Sequence, residues 1–370
     1  MVRNKKTDNN VDLACPHTIK KFELIEAYVR DWAHKLLNYE NCNEIVFIDC
    51  MCNSGHYKDS DDQDVFGTPI RVAKLIEGLM TKYTNKKATL YFNDLSQSKI
   101  DILSSYLPSS TGNFHITTRV GDGNELLKEI SKRFQQSDQI NYLVVYDPYT
   151  ASVDWGALLP FFRSWGEVII NHMVSDPIRG LSQAKSDAVV EKYEKTYLAS
   201  IKDLMPFGND RNAYENRIQE IIVALRRGLG NKKCYIASFP FFNTRNVVVY
   251  NLLHCSGNIE GFKLFKRVTW KVFDGKSSSK DTHGKQNQLA FDLDDLGGIK
   301  TNSDENCYYI KDIADYIYNK FHSKGSISLD EVWTELDIHP VFPSEGFRNE
   351  IKRNLKDFYK CKVTRKEIFF

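Results

Sequence analysis

The sequence predicts an α/β protein built on an open, mostly parallel sheet, and two observations carry that prediction. Four segments, FIDCMCNSGHY (47–57), LYFNDLSQ (90–97), RVGDGNELL (119–127) and NYLVVYDPY (141–149), each start as a largely apolar or β-branched run and reach a carboxylate with Gly, Asn or Pro close by. Parallel strands buried on both faces read this way. Between them lie stretches of helical periodicity, and regular alternation of strand with helix is the pattern of a sheet flanked by helices.

The elements follow in order. Residues 1–16 are polar and read as flexible or weakly docked. TIKKFELIEAYVRDWAHKLL (18–37) is a helix, because Ile19, Phe22, Leu24, Ile25, Tyr28, Val29, Trp32 and Leu36 recur near helical spacing and form one broad apolar face. The first strand is 44–49, after which the polar stretch HYKDSDDQDVFGTP (56–69) interrupts the pattern. Residues 69–83 read as a helix with Pro69 in its first turn and Thr68 as its cap. Strand 88–94 leads to a helix starting near Ser96, strand 114–120 to a helix over 123–135, and strand 141–147 ends at Pro148, which cannot donate to a ladder. Helices at 156–164 and 184–204 flank a strand at 166–171, and another helix covers 213–229. The runs 233–239 and 246–254 alternate and form an antiparallel pair, followed by a helix over 257–272. DGKSSSKDTHGKQN (274–287) has almost no apolar content and reads as a loop or linker. Beyond residue 306 the order helix, short strand, helix, helix, ribbon suits a small winged-helix-like module.

The chain of 370 residues thus divides into a flexible N-terminus (1–16), a main α/β domain (17–273), a linker or mobile loop (274–300) and a winged-helix-like domain (301–370). The net charge of +2 is too small to imply a polyanionic partner by itself, so any basic surface must be local. No run approaches the ~18 apolar residues of a membrane span, and the N-terminus lacks the apolar stretch of a signal peptide. The eight cysteines are scattered, and only Cys50 and Cys52 are close, so neither a disulfide framework nor a zinc site is expected. Reduced thiols and a cytoplasmic location are the expectation.

Ligands of open α/β sheets bind just past the carboxyl ends of the strands. Four acidic tips in a row, Asp49, Asp94, Asp122 and Asp147, therefore point to one nucleotide-like ligand lying across that edge. Asn53 and Gly55 suit a tight turn that lets backbone amides approach a ligand. Asp94 sits where a carboxylate can accept both ribose hydroxyls, and Asp122 where one can take an adenine amino group; each could equally be a turn or capping residue. Asp147-Pro148-Tyr149 is the sharpest signal, since a carboxylate and an aromatic ring at a strand tip can hold a planar amine. Neither a G-x-x-x-x-G-K-[ST] nor a G-x-G-x-x-G motif is present.

Taken together, HTIKKFELIEAYVRDW (17–32), FIDCMCNSGHY, FGTP (66–69), FNDLSQSK (92–99), VGDGNELL (120–127), DPYTASVDW (147–155) and VVVYNLLHCSGNIEGFKLFKRVTWKVF (247–273) resemble class I S-adenosylmethionine-dependent methyltransferases, and more narrowly the three-Cys-motif partner family. The resemblance implies a Rossmann-like sheet, S-adenosylmethionine as cofactor and no metal. It implies cofactor contacts at Asp49, Cys50, Asn53, Gly55, Asp94, Leu95, Asp122 and Gly123, and a catalytic, acceptor-facing set of Asp147, Pro148 and Tyr149. It also implies a partner, a three-cysteine radical-SAM-like protein. Two departures stand out: Asn53 occupies a position where that family's D-x-F-A-G-P-G turn has Gly, and D-P-Y carries one proline where amino-methylating enzymes commonly carry two. A nucleic acid is the expected acceptor, through Lys266, Arg267, Arg348, Lys352, Arg353, Lys356 and Arg365, with Lys360, Lys362 and Lys366 nearby. Two classes stay open: a methyltransferase acting on a base amine, and a non-catalytic nucleic-acid-binding or assembly subunit that keeps the fold.

Overall fold

The computed structural model describes residues 11–134, 139–148, 152–163, 165–173, 187–197, 234–245, 248–280 and 307–370. The fold is α/β, with a Rossmann-like parallel sheet and flanking helices, and it forms two compact units. One comprises Met1–Tyr149 with Trp155–Phe161, the other Thr150–Asp154 with Phe162–Phe370.

The first unit contains β1 (Asp12–Leu13), α1 (Pro16–Leu37), β2 (Glu44–Asp49), β3 (His56–Lys58), β4 (Asp64–Phe66), α2 (Thr68–Met80), β5 (Lys87–Asp94), α3 (Gln97–Tyr106), β6 (Phe114–Val120), α4 (Gly123–Phe134), β7 (Ile140–Tyr146) and α5 (Trp155–Leu158). Its main strands lie in the order β6-β5-β2-β7, all parallel. The chain therefore winds outward from β2 through β5 to β6, then returns to the other side of β2. That reversal puts the topological switch point, where such sheets bind ligands, between the tips of β2 and β7. Asp49 ends β2 in register with Phe92 and Val145, so the acidic residues just beyond those positions share one edge.

Helix α1 packs against α2 and β2 with Phe22, Leu24, Ile25, Tyr28, Val29 and Trp32 of the expected face buried; Ala33 and Leu37 complete it, while Ile19 and Leu36 are only half-buried. The large aliphatic side chains and Phe22 are each worth about 1.5–3 kcal/mol when fully removed from water, and Ala33 less. Ser96 caps α3 by accepting from the Lys99 amide, as its position suggested. Helix α2 is capped by Gly67 without a side-chain bond, and Thr68 is its first residue rather than its cap.

Two polar stretches carry more structure than their composition suggests. Residues 56–66 form a hairpin, β3 with β4, and Asp12–Leu13 adds a parallel strand to it, with the Ala14 amide donating to Lys58 O at 2.7 Å. The expectation of a loosely docked 1–16 is corrected for residues 11–16; residues 1–10 lie outside the described residues. Strands two or three residues long are too brief for alternation to be readable.

The second unit holds β8 (Gly166–Met173), α6 (Asp187–Tyr197), β9 (Tyr235–Phe242), β10 (Val248–Ser256) and α7 (Ile259–Val272), with β10 antiparallel to both β8 and β9. Helix 213–229 and much of 184–204 lie outside the described residues. After them come α8 (Ile310–Phe321), β11 (Ser326–Ser328), α9 (Leu329–Ile338), α10 (Arg348–Tyr359), β12 (Lys362–Val363) and β13 (Glu367–Phe369), with the three short strands ordered β11-β13-β12 and antiparallel. The start of the expected linker is packed instead. Ser277 N donates to Tyr308 O at 2.9 Å, Ser279 N donates to Pro240 O at 3.3 Å, and Ser278 and Lys280 are buried. Polar residues there satisfy backbone groups of neighbouring elements, which composition cannot reveal; residues 281–300 lie outside the described residues.

Among the described residues no helix is long and apolar enough to cross a membrane, and no group of three His, Cys, Asp or Glu side chains could hold a metal. All eight cysteines are free thiols.

Candidate cofactor and acceptor site

The turn after β2 is shaped by backbone conformation. Asn53 has φ 58° and Gly55 φ 65°, the left-handed region that Gly and Asn tolerate best. A Cβ on Gly55 would come within 2.9 Å of Pro69 and 3.0 Å of Ile70, so the turn is also tightly enclosed. Asn53 keeps the conformation a Gly would have and adds a side chain, whose Nδ2 donates to Asp12 Oδ2 at 2.8 Å.

The turn is cross-tied to its neighbours. Asn93 Nδ2 donates to Cys50 O at 3.0 Å and Gly121 O at 2.8 Å, and Cys52 N donates to Asn93 O at 2.8 Å. A Cβ on Gly123 would lie 2.4 Å from Cys50 O, so the start of α4 is pressed against the β2 tip. The loops after β2, β5 and β6 are thereby held as one assembly.

The four acidic tips meet around this assembly in different states. Asp49 is buried, and its Oδ1 has no hydrogen-bond partner. Burial first, then the negative charge of Asp147, pushes its carboxyl up to about 8; Asp94 adds to the shift and Lys21 opposes it. Asp94 is buried too, its Oδ2 accepting from Asn53 N at 3.0 Å and its Oδ1 from Ser96 N at 2.9 Å. Asp122 is exposed and caps α4, its Oδ1 accepting from Asn124 N at 2.7 Å and Glu125 N at 3.2 Å. Asp147 lies just past β7, partly exposed, with Pro148 buried beside it. Tyr149 lies outside the described residues.

The fields of these carboxylates overlap. Burial pushes the Cys50 thiol far up, and Asp49, Asp147 and Asp122 all reinforce it. Cys50, donating to Val145 O at 3.3 Å, is therefore a neutral packing group. Leu95, next to Asp94, is 68% exposed, an unusual exposure for a large apolar side chain beside a buried carboxylate.

Three further residues belong to the site, and sequence reading missed their roles. Lys21 reaches from α1 to pair with Asp147 Oδ2, its side chain only 9% exposed. A signal was available: Lys21 is spaced four residues before Ile25 and seven before Tyr28, on the buried arc where a cation needs a partner. Tyr57 on β3 is half-buried, and its phenol is pushed far up by desolvation and then by Asp147, Asp49 and Asp12. Its ring fills the space a Cβ on Gly67 would need, and it packs 5.1 Å from the Phe22 ring. Asp12 holds both Asn53 and, at 3.4 Å, Lys99.

A surface pocket between β5, β6 and α4 is floored by Phe92, Leu126 and Ile130. Its two arginines are already paired, Arg119 with Glu129 at 2.6 Å and Arg133 with Glu44 at 2.8 Å. It is lined by the sheet face rather than by the acidic tips.

No protein-family model matches the chain, and no curated protein matches it. Among solved structures, a Legionella pneumophila protein of family DUF519 aligns at 10% identity, covering 70% of this chain and 92% of the other, with a TM-score of 0.39. Trm1 from Pyrococcus horikoshii, solved with S-adenosyl-L-methionine, aligns at 13% identity over 72% of this chain and 62% of its own, TM-score 0.39. Human methyltransferase-like protein 13, solved with SAH, aligns at 10% identity over 74% and 100%, TM-score 0.31. Likenesses at this level carry no functional weight.

The basic residues of the second unit separate into two groups. Lys266 is corrected: it is fully buried, and its Nζ donates to Leu336 O at 2.7 Å, Asp337 O at 3.0 Å and His339 O at 2.7 Å, closing the C-terminal end of α9. An ammonium spent on three carbonyls is not available to a phosphate. Arg267 is half-buried and faces Glu345 at 3.5 Å. Arg348 lies over the Trp333 ring at 4.9 Å with Lys352 at 5.8 Å from the same ring. Arg353, Lys356 and Arg365 are exposed.

Proposed function

We propose that the chain is an S-adenosylmethionine-dependent methyltransferase acting on the amine of a nucleic-acid base. One observation carries the reading: four strand-tip carboxylates gather at the switch point of a parallel sheet, around a turn with two left-handed residues. The residues fit the cofactor. The unpartnered Oδ1 of buried Asp49 is an acceptor awaiting a donor or a cation. Gly123, lacking a Cβ, lets the start of α4 press against Cys50 O at the β2 tip. Exposed Leu95 offers an apolar face for an adenine ring, and Asp122 offers a carboxylate for its amino group.

S-adenosylmethionine supplies an electrophilic methyl carbon on a sulfonium. The chain's own residues supply alignment and charge. Asp147 accepts a hydrogen bond from the acceptor NH2 and directs the nitrogen lone pair. With the methyl donor bound, Asp147 would take up the proton that the methylated nitrogen sheds and pass it to water. Tyr149 stacks on the base. The tail, read as winged-helix-like, contributes Arg353, Lys356 and Arg365 to phosphate contacts. A three-cysteine radical-SAM-like protein remains the partner the family resemblance implies.

One observation favours the second reading, a non-catalytic nucleic-acid-binding subunit. Both oxygens of Asp94 already accept backbone amides, so a ribose must share them. Calorimetric titration with S-adenosylmethionine and SAH decides between the two: no heat at millimolar ligand removes the enzyme. Mass spectrometry of nucleosides from cells with and without the protein then identifies the product. Asp147→Ala should abolish transfer while sparing cofactor affinity, and Asp94→Ala should weaken the cofactor; identical behaviour of the two variants overturns the assigned roles.

A further inference from the structure

Lys21 is the feature of the site with no counterpart in the reading so far. It is a lysine on the buried arc of α1, nearly shut off from water, and its ammonium ends on the carboxylate that faces the acceptor. An ion pair could serve merely to tie α1 to the end of β7, yet α1 already buries eight apolar side chains, Phe22 and Trp32 among them. Taking an ammonium out of water at that place is costly unless its charge is used. The surroundings are acidic: Asp94 is buried at the neighbouring tip and Asp122 follows at the next, while Asp49, raised to about 8, adds negative charge only as it ionises and Tyr57 brings none. Among the described residues, Lys21 on Asp147 and Lys99 on Asp12 bring positive charge close to the tips.

We propose that Lys21 is a positioning residue of the methyl-acceptor site: its buried ammonium holds the Asp147 carboxylate in one direction and balances the acidic edge, so that a sulfonium is not over-bound. The inference rests on the methyltransferase reading. It follows from what transfer requires. Positive charge leaves sulfur and builds on nitrogen, so a site that gripped the sulfonium with uncompensated carboxylates would stabilise the ground state more than the transition state. Lys21 offsets that grip, and its ion pair holds the Asp147 carboxylate in place toward the nitrogen.

The test compares S-adenosylmethionine, which carries the sulfonium, with SAH, which does not, by calorimetric titration of full-length wild type, Lys21→Met, Lys21→Gln and Lys21→Arg. Removing the ammonium should raise the preference for S-adenosylmethionine over SAH roughly five-fold or more. Lys21→Gln, which keeps a hydrogen bond without charge, should behave like Lys21→Met, and Lys21→Arg should restore the wild-type ratio. A purely structural role lowers affinity for both ligands alike and leaves the ratio unchanged, which overturns the proposal, as does an arginine variant that shifts as far as the methionine one. Wild type that binds neither ligand is a different failure: it overturns the methyltransferase reading and this proposal with it. Circular dichroism of each variant shows which are folded, and Lys21→Gln and Lys21→Arg carry the comparison if Lys21→Met is not.

Discussion

Asp49→Asn gives the most direct check on the acidic edge. Asp49 is 3% exposed, lies beside the charge of Asp147 and is pushed from 3.8 up to about 8. A carboxyl whose folded pKa is raised binds a proton in the native state that the unfolded chain releases, so stability falls as pH rises from about 4 to about 8. Each pH unit inside that window costs about 1.4 kcal/mol. Between pH 5 and 7.5, wild type should therefore lose about 3 kcal/mol relative to Asp49→Asn, which keeps the shape of the side chain and cannot ionise. Urea unfolding of both proteins at the two pH values, followed by circular dichroism, measures the difference. Stability curves that run parallel in pH would mean that Asp49 ionises freely, and the picture of a crowded, buried acidic tip would be wrong.

Other outcomes can be checked in the same preparations. Gly123→Ala places a methyl group 2.4 Å from Cys50 O, so it should cost about 1–3 kcal/mol in overpacking and weaken S-adenosylmethionine binding in a calorimetric titration. His339 Nδ1 accepts from the amides of Val341 at 3.2 Å and Phe342 at 2.9 Å, and burial, helped by Lys266, lowers its pKa to about 4. Its folded pKa lies below the unfolded one, so the stability it supports is present above pH 6.5 and is lost as pH falls towards 4, by up to about 3 kcal/mol; acid titration of tryptophan fluorescence should show it, and His339→Ala should flatten that window. Charge reversal at Arg353, Lys356 or Arg365 should weaken binding to a single-stranded RNA and reduce the salt slope by about one per lost phosphate contact, without altering S-adenosylmethionine affinity. Lys266→Met should leave RNA affinity intact and lower thermal stability instead, since three carbonyls lose their donor, at about 1–3 kcal/mol.

The centre of the parallel sheet was legible because its strands are buried on both faces: EIVFID and INYLVVY admit little but strand, and β2 and the more exposed edge strand β6 fall on the residues expected of them. The acidic tips were legible for the same reason, as polar interruptions of apolar runs. What the sequence hid was tertiary. Nothing local distinguishes Asp94, locked by two amides, from Asp122, capping a helix in water. Lys266 read as one cation of a basic, aromatic segment, because that segment gives no hint that the end of α9 lies over it. Lys21 and Asp147 are 126 residues apart, and only the fold makes them a pair. The hairpin at 56–66 escaped because three-residue strands give periodicity nothing to repeat.

The ammonium of Lys266 also fixes where this chain can be divided. Helix α7 meets the tail from residue 307 through that nitrogen, through the Trp270 indole, which donates to Val341 O at 2.9 Å, and through Lys263 and Arg267, which face Glu345 at 3.4 and 3.5 Å. A chain ended near residue 280 would leave a cation and an indole N–H facing solvent from a surface shaped for backbone oxygens. The tail expressed by itself would begin life with a frayed helix end and an uncovered Phe342. Domain deletions here would thus report on damage at the seam before they reported on nucleic acid, and point charge reversals on Arg353, Lys356 and Arg365 are the cleaner dissection.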